Sequence, residues 1–212
     1  MMKKILLIGI FCALTFPAHA YIRNAEQALE TMAFYDANNE RIACDNIDHV
    51  LNCIEEDERP YSGAATAITK NEDPLISAEL AIKNGKINGI FKLYEGGHLS
   101  VDGFFVNGLQ EGIETKYFPN GKVRTVSGYL KGELHGVVQE YDEKGTLIST
   151  VSWKFGKQDG EMRENYPNGN LKSISSWKDN KQHGKTIFYG EDGRITERAL
   201  WFRGKLIKHS SN

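Results

Sequence analysis

A spacing of 24 residues runs through most of this chain and limits what it can fold into. Trp153, Trp177 and Trp201 are each 24 residues from the next, and the same step carried backwards reaches Tyr129 and Phe105. Glycines and aliphatic residues keep the same period: Gly97, Gly121, Gly145, Gly169 and Gly193, and Leu99, Val123, Leu147, Leu171 and Ile195. Three unrelated kinds of side chain share one period, so the chain is an array of internal repeats, each stabilised by its neighbours.

Each repeat is typical of two short strands joined by a turn. A unit begins with a glycine pair such as Gly108-Leu-Gln-Glu-Gly112 and contains a turn such as Pro119-Asn120-Gly121. Asn-Gly turns are strong hairpin signals, and we expect both central residues to take positive φ. The second strand alternates from Leu147 to Trp153, which indicates one buried face. We therefore predict a mostly β fold, an elongated antiparallel sheet of stacked 24-residue β-hairpins with a degenerate first copy at 63–84.

The aromatic column is expected to form a buried structural spine of Phe105, Tyr129, Trp153, Trp177 and Trp201. A strand sheet favours one buried face, and the other regular apolar column lies on the same face. The alternative is an exposed groove in which these rings stack on sugars or on a peptide.

One unit departs from the pattern of the first strand. Its tyrosine position is occupied by Asn165, and Tyr166 is displaced by one residue, which in a strand means the opposite face. Either a bulge restores the tyrosine or this unit presents a different surface.

The first 20 residues have the features of a secretory signal peptide. Lys3 and Lys4 precede an apolar run, and Ala18-His19-Ala20 offers a cleavage site. Removal of this leader leaves 24 basic residues against 28 acidic ones, a formal charge of −4. Nucleic-acid binding requires a basic excess, so we exclude it. We expect the bacterial periplasm as the destination, with secretion as the alternative.

Residues 21–60 are predicted to form an N-terminal helix and a cysteine-containing capping segment, followed by the repeat array at 61–206 and a C-terminal tail at 207–212. Asn24 caps an amphipathic helix that runs to Tyr35 and covers one end of the array. Residues 41–44 and 50–54 are typical of two short strands. We favour a disulfide between Cys44 and Cys53 over a reactive thiol, because an exported protein meets an oxidising environment.

The repeat units resemble MORN repeats of the bacterial variant type. The resemblance rests on Tyr117-Phe118-Pro119-Asn120-Gly121-Lys122-Val123, on the pair Gly132 and Gly136, and on the opening Arg59-Pro60-Tyr61-Ser62-Gly63. It extends from Gly63 to Gly204 and implies a twisted antiparallel sheet of successive hairpins. Such repeats occur in binding proteins, in membrane-surface scaffolds and in the YwqK-type antitoxin family, and the resemblance transfers no catalytic motif.

We find no motif that predicts catalysis, a cofactor or a metal site, and we expect no enzyme. One column of polar residues precedes the second glycine of each unit: Asn88, Glu111, His135, Asp159 and His183. Equivalent positions in adjacent hairpins lie roughly 10 Å apart, which is too far for one metal ion. These side chains are therefore expected to be polar turn residues. A hydrolase with scattered catalytic residues is the less favoured alternative.

The combined pattern favours a non-enzymatic periplasmic repeat protein that binds another protein, such as an immunity factor that binds a secreted toxin. The acidic run Glu55, Glu56, Asp57 and Glu58 is a candidate contact for a basic partner. The alternative is a cell-envelope scaffold that touches membrane or peptidoglycan. A net charge of −4 does not favour contact with anionic lipid. The sequence leaves the oligomeric state open.

Overall fold

The computed structural model describes residues 32–47, 50–55, 59–69 and 76–211, and within these ranges the protein is all β. The described residues contain no helix long and apolar enough to cross a membrane. The predicted leader, residues 1–20, lies outside the described residues. The strands are β1 Met32–Asp36, β2 Arg41–Ile47, β3 Val50–Ile54, β4 Gly63–Thr69, β5 Ile76–Lys83, β6 Lys86–Glu95, β7 His98–Val106, β8 Leu109–Gln110, β9 Gly112–Tyr117, β10 Val123–Leu130, β11 Glu133–Leu134, β12 Gly136–Tyr141, β13 Leu147–Lys154, β14 Lys157–Asn165, β15 Leu171–Lys178, β16 Lys181–Tyr189, β17 Ile195–Phe202 and β18 Lys205–Ser211.

The strands form one antiparallel sheet whose order follows the chain from β4 to β18. At the other end β1 lies between β2 and β4, and β3 pairs with β2. The short strand β8 pairs with β7 next to the pairing of β7 with β9. In the same way, β11 pairs with β10 next to the pairing of β10 with β12. The predicted antiparallel sheet is confirmed. Its final strand continues to Ser211, through residues that we expected to follow the array.

The predicted N-terminal helix is wrong in its described part. Residues 24–31 lie outside the described residues, but Met32–Asp36 form a strand. Met32, Ala33 and Phe34 are buried, and β1 pairs with β4 on one side and with β2 on the other. A short apolar run fits both a helix and a strand, and pairing with β2 and β4, which are distant in sequence, makes it a strand here.

Strand register explains why glycine and an aromatic residue share the 24-residue period. The aromatic at the end of each second strand lies directly opposite the second glycine of the same unit: Gly136 with Trp153, Gly160 with Trp177, and Gly184 with Trp201. The glycines have positive φ, 98° at Gly136, 121° at Gly160 and 108° at Gly184, a conformation that residues with a side chain rarely adopt. A Cβ would also lie 2.8 Å from the Cβ of Ser152 at Gly160 and 3.1 Å from that of Ser176 at Gly184.

The turns that carry Asn-Gly and Asp-Gly differ from our expectation in their backbone. In the turns at 118–122, 142–146, 166–170 and 190–194, only the glycine takes positive φ, for example 79° at Gly121. The amide of Gly121 donates to the carbonyl of Phe118 at 2.8 Å, and the amide of Phe118 donates to that of Lys122. This is a three-residue loop with a glycine bulge rather than a two-residue loop.

Two-residue turns with positive φ at both positions occur at Gly96-Gly97 within one unit and also between successive units. The turns between units are Asn84-Gly85, Asn107-Gly108, Lys131-Gly132, Phe155-Gly156, Asp179-Asn180 and Arg203-Gly204. In the last five of these turns, the second residue donates to a carbonyl of the preceding unit: Gly108 to Ile87, Gly132 to Gln110, Gly156 to Leu134, Asn180 to Gln158 and Gly204 to Gln182. Each unit is therefore fastened to the one before it by a backbone hydrogen bond.

The largest core lies at the N-terminal end of the sheet. The β2–β3 hairpin packs its buried residues Ile42, Leu51 and Cys53 into a cluster with residues of β4 to β7. Cys44 and Cys53 are joined by the predicted disulfide. Gly85 permits this close approach, because a Cβ there would lie 2.8 Å from the carbonyl oxygen of Cys53. A smaller cluster of Tyr129, Leu134 and Val138, with Trp153 against it, follows further along the chain.

Candidate binding face

From β6 onward the sheet has two unlike faces. The inner face carries small and apolar residues that are almost fully buried, such as Ser149, Val151 and Ser173. The outer face carries the alternate residues, which are half-buried or exposed, such as Thr150 and Lys154. Because successive strand residues point to opposite faces, this division follows from the period-two pattern of the second strands.

An apolar row crosses the outer face from β6 to β12. It consists of Ile90, Phe104, Ile113, Gly128 and Val137, and its four large side chains are 60%, 44%, 60% and 52% exposed. Ile90 lies directly opposite Phe104, and Ile113 lies directly opposite Gly128. Strands lie about 4.8 Å apart, so the apolar row spans about 20 Å. An exposed apolar stretch of this kind is typical of a surface that binds another protein.

Beyond β12, polar residues replace most of the apolar ones in the same register, although Leu200 is exposed there. Val137 faces Ser152, Glu161 faces Ser176, and Lys185 faces Leu200. The apolar row is therefore confined to one part of the outer face. A repeat signal marks this change, because the residue after each second glycine is Ile90, Ile113 and Val137 in three units and Glu161 and Lys185 in the next two. This column was not singled out among the sequence patterns above, although the change from apolar to charged residues is present in the sequence.

Polar contacts flank the apolar row on the outer face. The hydroxyl of Tyr117 donates to Asp102 Oδ2 at 3.2 Å, and that of Tyr94 donates to Glu79 Oε2 at 3.1 Å. Partial burial, followed by the charge of Asp102, raises the pKa of Tyr117. Both tyrosines therefore stay protonated at neutral pH and remain hydrogen-bond donors on this face.

On the inner face, two carboxylates lie within hydrogen-bond distance of serine hydroxyls. Ser149 Oγ lies 3.3 Å from Glu140 Oε2, and Ser173 Oγ lies 2.7 Å from Glu164 Oε2. Burial raises the pKa of Glu140, against the Ser149 hydrogen bond and the charge of Arg124. Glu140 and Glu164 are two strands apart, about 10 Å, with Ser149 between them. That separation does not form a close acid–base pair.

In the polar column before each second glycine, some side chains accept hydrogen bonds from the backbone of the next turn between units. Asn88 Oδ1 accepts from the amide of Asn107 at 3.0 Å, and Glu111 Oε2 accepts from the amide of Lys131 at 2.8 Å. Asp159 bonds Lys178 at 2.8 Å, which lowers the pKa of Asp159. The two histidines instead contact aromatic rings: His135 lies 4.8 Å from Phe155 and His183 lies 5.1 Å from Phe202 between ring centroids.

The structure does not bring these column residues together. Among the described residues, no group of three histidine, cysteine, aspartate or glutamate side chains is placed to hold a metal ion.

The spine residues lie where the inner face meets the turns. Tyr129 is buried at 6% exposure, and the other four are half-buried. Phe105 meets Phe91 edge to face at 5.6 Å, and Trp153 packs on the cluster around Tyr129.

The irregular unit presents a different surface, because no bulge restores its tyrosine. Asn165 takes the tyrosine position opposite Leu171, and its Nδ2 donates to the carbonyl of Leu147 at 2.9 Å. Tyr166 instead begins the turn, and its hydroxyl donates to the carbonyl of Tyr189 at 2.7 Å.

The acidic run is only partly described. Glu55 Oε2 accepts from Arg59 at 2.9 Å, which occupies that carboxylate. Glu56, Asp57 and Glu58 lie outside the described residues.

Comparisons with known proteins bear on the repeats. The family described as MORN repeat variant matches residues 110–129, 134–154 and 158–179. No curated protein matches the chain. Matches among solved structures number 21 chains. They include an alternansucrase in complex with isomaltononaose, which is 14% identical over 77% of this chain with a TM-score of 0.20. This chain spans 16% of the length of that alternansucrase. The three matched segments extend from the end of β8 to β15, and this part of the chain accordingly contains repeats of the MORN variant type.

Proposed function

We propose that the protein is a non-enzymatic binding protein of the bacterial periplasm whose outer face holds another protein. We further propose that this partner is a secreted toxin and that the chain acts as an immunity factor against it. The leader-like first 20 residues support export. The Cys44–Cys53 disulfide is compatible with export, because exported proteins meet an oxidising environment. The resemblance to YwqK-type antitoxins supports a toxin as the partner. A leader is not a feature of a cytoplasmic antitoxin, so the proposed site of action is the periplasm.

The observation that carries the proposal is the apolar row on the outer face. Apolar side chains that are about half exposed gain free energy when a partner covers them, about 25 cal/mol for each Å² removed from water. Interface cores are typically formed by aromatic and apolar residues with a polar rim. Tyr94 and Tyr117 provide such a rim beside the row. Glu55 to Glu58 add a second candidate contact for a basic surface of the partner.

The test is capture of the partner from the cell envelope of the source bacterium under non-reducing conditions. An epitope inserted in the exposed turn at 143–145 leaves both ends of the sheet untouched. Mass spectrometry then identifies what is captured. The proposal expects one stoichiometric protein that is toxic when expressed in the periplasm without this chain. Recovery of only lipid or murein would favour the envelope scaffold instead.

Matched variants connect the captured protein to the outer face. Ile113→Ser and Val137→Ser shorten exposed side chains in the apolar row, whereas Lys185→Ser changes the equivalent position in a polar unit. We expect the first two variants to weaken partner binding by about tenfold each, and Lys185→Ser to retain it. Equal losses in all three would show that the apolar row is not the contact. Unchanged affinity after alanine substitution of Glu55 to Glu58 would remove the acidic run from the interface.

A further inference from the structure

The last strand of the sheet has one open edge. β18 pairs with β17, and no other described strand pairs with it. All seven of its residues are exposed, including Leu206 at 46% and Ile207 at 59%. In a strand, about half of the backbone amide and carbonyl groups point away from the one paired neighbour. The open edge therefore presents a row of donors and acceptors that can pair with another extended chain.

The opposite end of the sheet is closed. The amide of Cys53 in β3 donates to the carbonyl of Gly85 at 2.7 Å, and the carbonyl of Cys53 accepts from the amide of Tyr61 at 2.9 Å. The disulfide adds a covalent link between β2 and β3. Repeat arrays need a cover at each end, and this one has a cover at the N-terminal end alone among the described residues.

The charges around the open edge are mostly positive. Residues 195–211 carry Arg198, Arg203, Lys205 and Lys208 against the single acidic residue Glu197. Glu197 Oε2 lies 3.0 Å from His209 Nε2, so that carboxylate is already occupied. Register places Lys205 opposite Phe202 and Lys208 opposite Leu200, which puts both lysines beside exposed apolar residues.

These charges distinguish between possible occupants of the edge. Pairing of two β18 edges from two copies would bring lysine near lysine, and like charges across strands are destabilising. Lysines on an edge strand protect against such self-association. A strand that carries carboxylates meets the opposite situation, because its side chains would pair with Lys205 and Lys208. Charge complementarity therefore favours an acidic strand from a different protein.

We propose that β18 accepts an extended acidic segment of another protein as an additional strand of the sheet. Backbone hydrogen bonds provide the pairing, and Lys205 and Lys208 select carboxylates. This is strand addition at a sheet edge. It is independent of the apolar row, which lies on strands β6 to β12.

The test measures binding of synthetic strands to the full chain. The probe is a peptide of about eight residues that alternates glutamate with valine, the length and composition of a typical strand. Two control peptides carry lysine in place of glutamate, or N-methyl groups on alternate amides. We expect the acidic peptide to slow amide hydrogen exchange in residues 205–211, and neither control to do so. Protection elsewhere but not in β18 would overturn the proposal.

Two double variants separate the edge from general charge effects. Lys205→Glu with Lys208→Glu reverses the edge, and Lys83→Glu with Lys86→Glu makes the same change at an exposed hairpin near the other end. The first pair should weaken acidic-peptide binding by about tenfold or more and create binding of the lysine peptide, and the second pair should do neither. Equal losses in both pairs would overturn the proposal. The proposal would also be overturned if the unmodified chain self-associates and the Lys205→Glu/Lys208→Glu variant does not, because a second copy would then be the occupant.

Discussion

The three tryptophans of the spine occupy equivalent positions but differ at the indole nitrogen. Trp177 Nε1 donates to Ser175 Oγ at 2.9 Å. Trp153 and Trp201 have Val151 and Ala199 two residues earlier, and within the described part of the chain their buried Nε1 atoms have no hydrogen-bond partner. A buried polar atom without a partner costs about 1–3 kcal/mol.

A serine exchange tests this difference. We expect Ser175→Ala to lower the free energy of unfolding by about 1 kcal/mol, because it removes the acceptor of Trp177. We expect Ala199→Ser to raise it by a similar amount, because it supplies an acceptor to Trp201. Urea denaturation followed by tryptophan fluorescence measures both. Destabilisation by both variants would contradict the assignment.

Phe155 combines backbone strain with an exposed ring. Its φ is 49°, its side chain is 50% exposed, and its ring contacts His135. A left-handed conformation costs most L-residues about 1–2 kcal/mol, whereas asparagine tolerates it, as at Asn84 and Asn107. In a His135→Ala background, where the ring contact is absent, we expect Phe155→Asn to raise the free energy of unfolding by about 1 kcal/mol. If Phe155→Asn raises the free energy of unfolding less in the unmodified chain, the difference measures the contact between Phe155 and His135. If Phe155→Asn lowers it in the His135→Ala background, backbone strain at Phe155 is ruled out.

Glu140 makes stability depend on pH. Burial raises its pKa in the folded protein above the unfolded value, so the folded state binds more protons in that interval. The contribution of Glu140 to stability is therefore highest below the ordinary carboxyl pKa and falls as pH rises through its raised pKa. We expect Glu140→Gln to reduce this fall, so that its stability gain over the unmodified chain grows towards neutral pH. Thermal melting across that range checks this, with Glu143→Gln at an exposed turn as the charge-matched control. A pH-independent difference would contradict the prediction.

At the scale of elements, the period predicted most of the fold, and local turn chemistry predicted less. The antiparallel order follows from hairpins that repeat along the chain. Asn84-Gly85 and Asn107-Gly108 carry the Asn-Gly signal of a two-residue turn, whereas Lys131-Gly132 and Phe155-Gly156 have the same backbone without the Asn, so the sequence does not mark the turns between units consistently. The strand at Met32–Asp36 was missed because its two partners are distant in sequence. The apolar row was missed because its residues come from two different columns, one of which ends at Val137.

The disulfide should stabilise one end of the sheet and not the other. Bonding Cys44 to Cys53 closes a short loop and is worth about 2–3 kcal/mol in the chain-entropy account. Because repeat units are stabilised by their neighbours, we expect the effect of reduction to stay local. Hydrogen exchange should become faster in strands β1 to β6 and remain unchanged in β12 to β17. A Cys44→Ala/Cys53→Ala variant treated with the same reductant controls for other effects, and faster exchange along the whole sheet would contradict local coupling.

At the scale of the whole molecule, charge and apolar surface are distributed unevenly along the array. The described residues between 32 and 69 carry four acidic and two basic residues, whereas residues 171–211 carry 9 basic and 4 acidic ones. The apolar row lies between these two regions on the outer face. A partner that covers the row would therefore meet acidic groups towards one end of the array and basic groups towards the other, which fixes its orientation.

The central claim is that the outer face binds another protein through the apolar row. Its most direct test is a photo-crosslinking amino acid placed at Ile113 in the full chain, expressed in the organism that produces the protein. The matched control is the same amino acid at Glu161, which holds the equivalent position after the second glycine of a polar unit. We predict a covalent adduct with one envelope protein from Ile113 and none from Glu161. The same adducts from both positions, or no protein adduct from Ile113, would contradict the account.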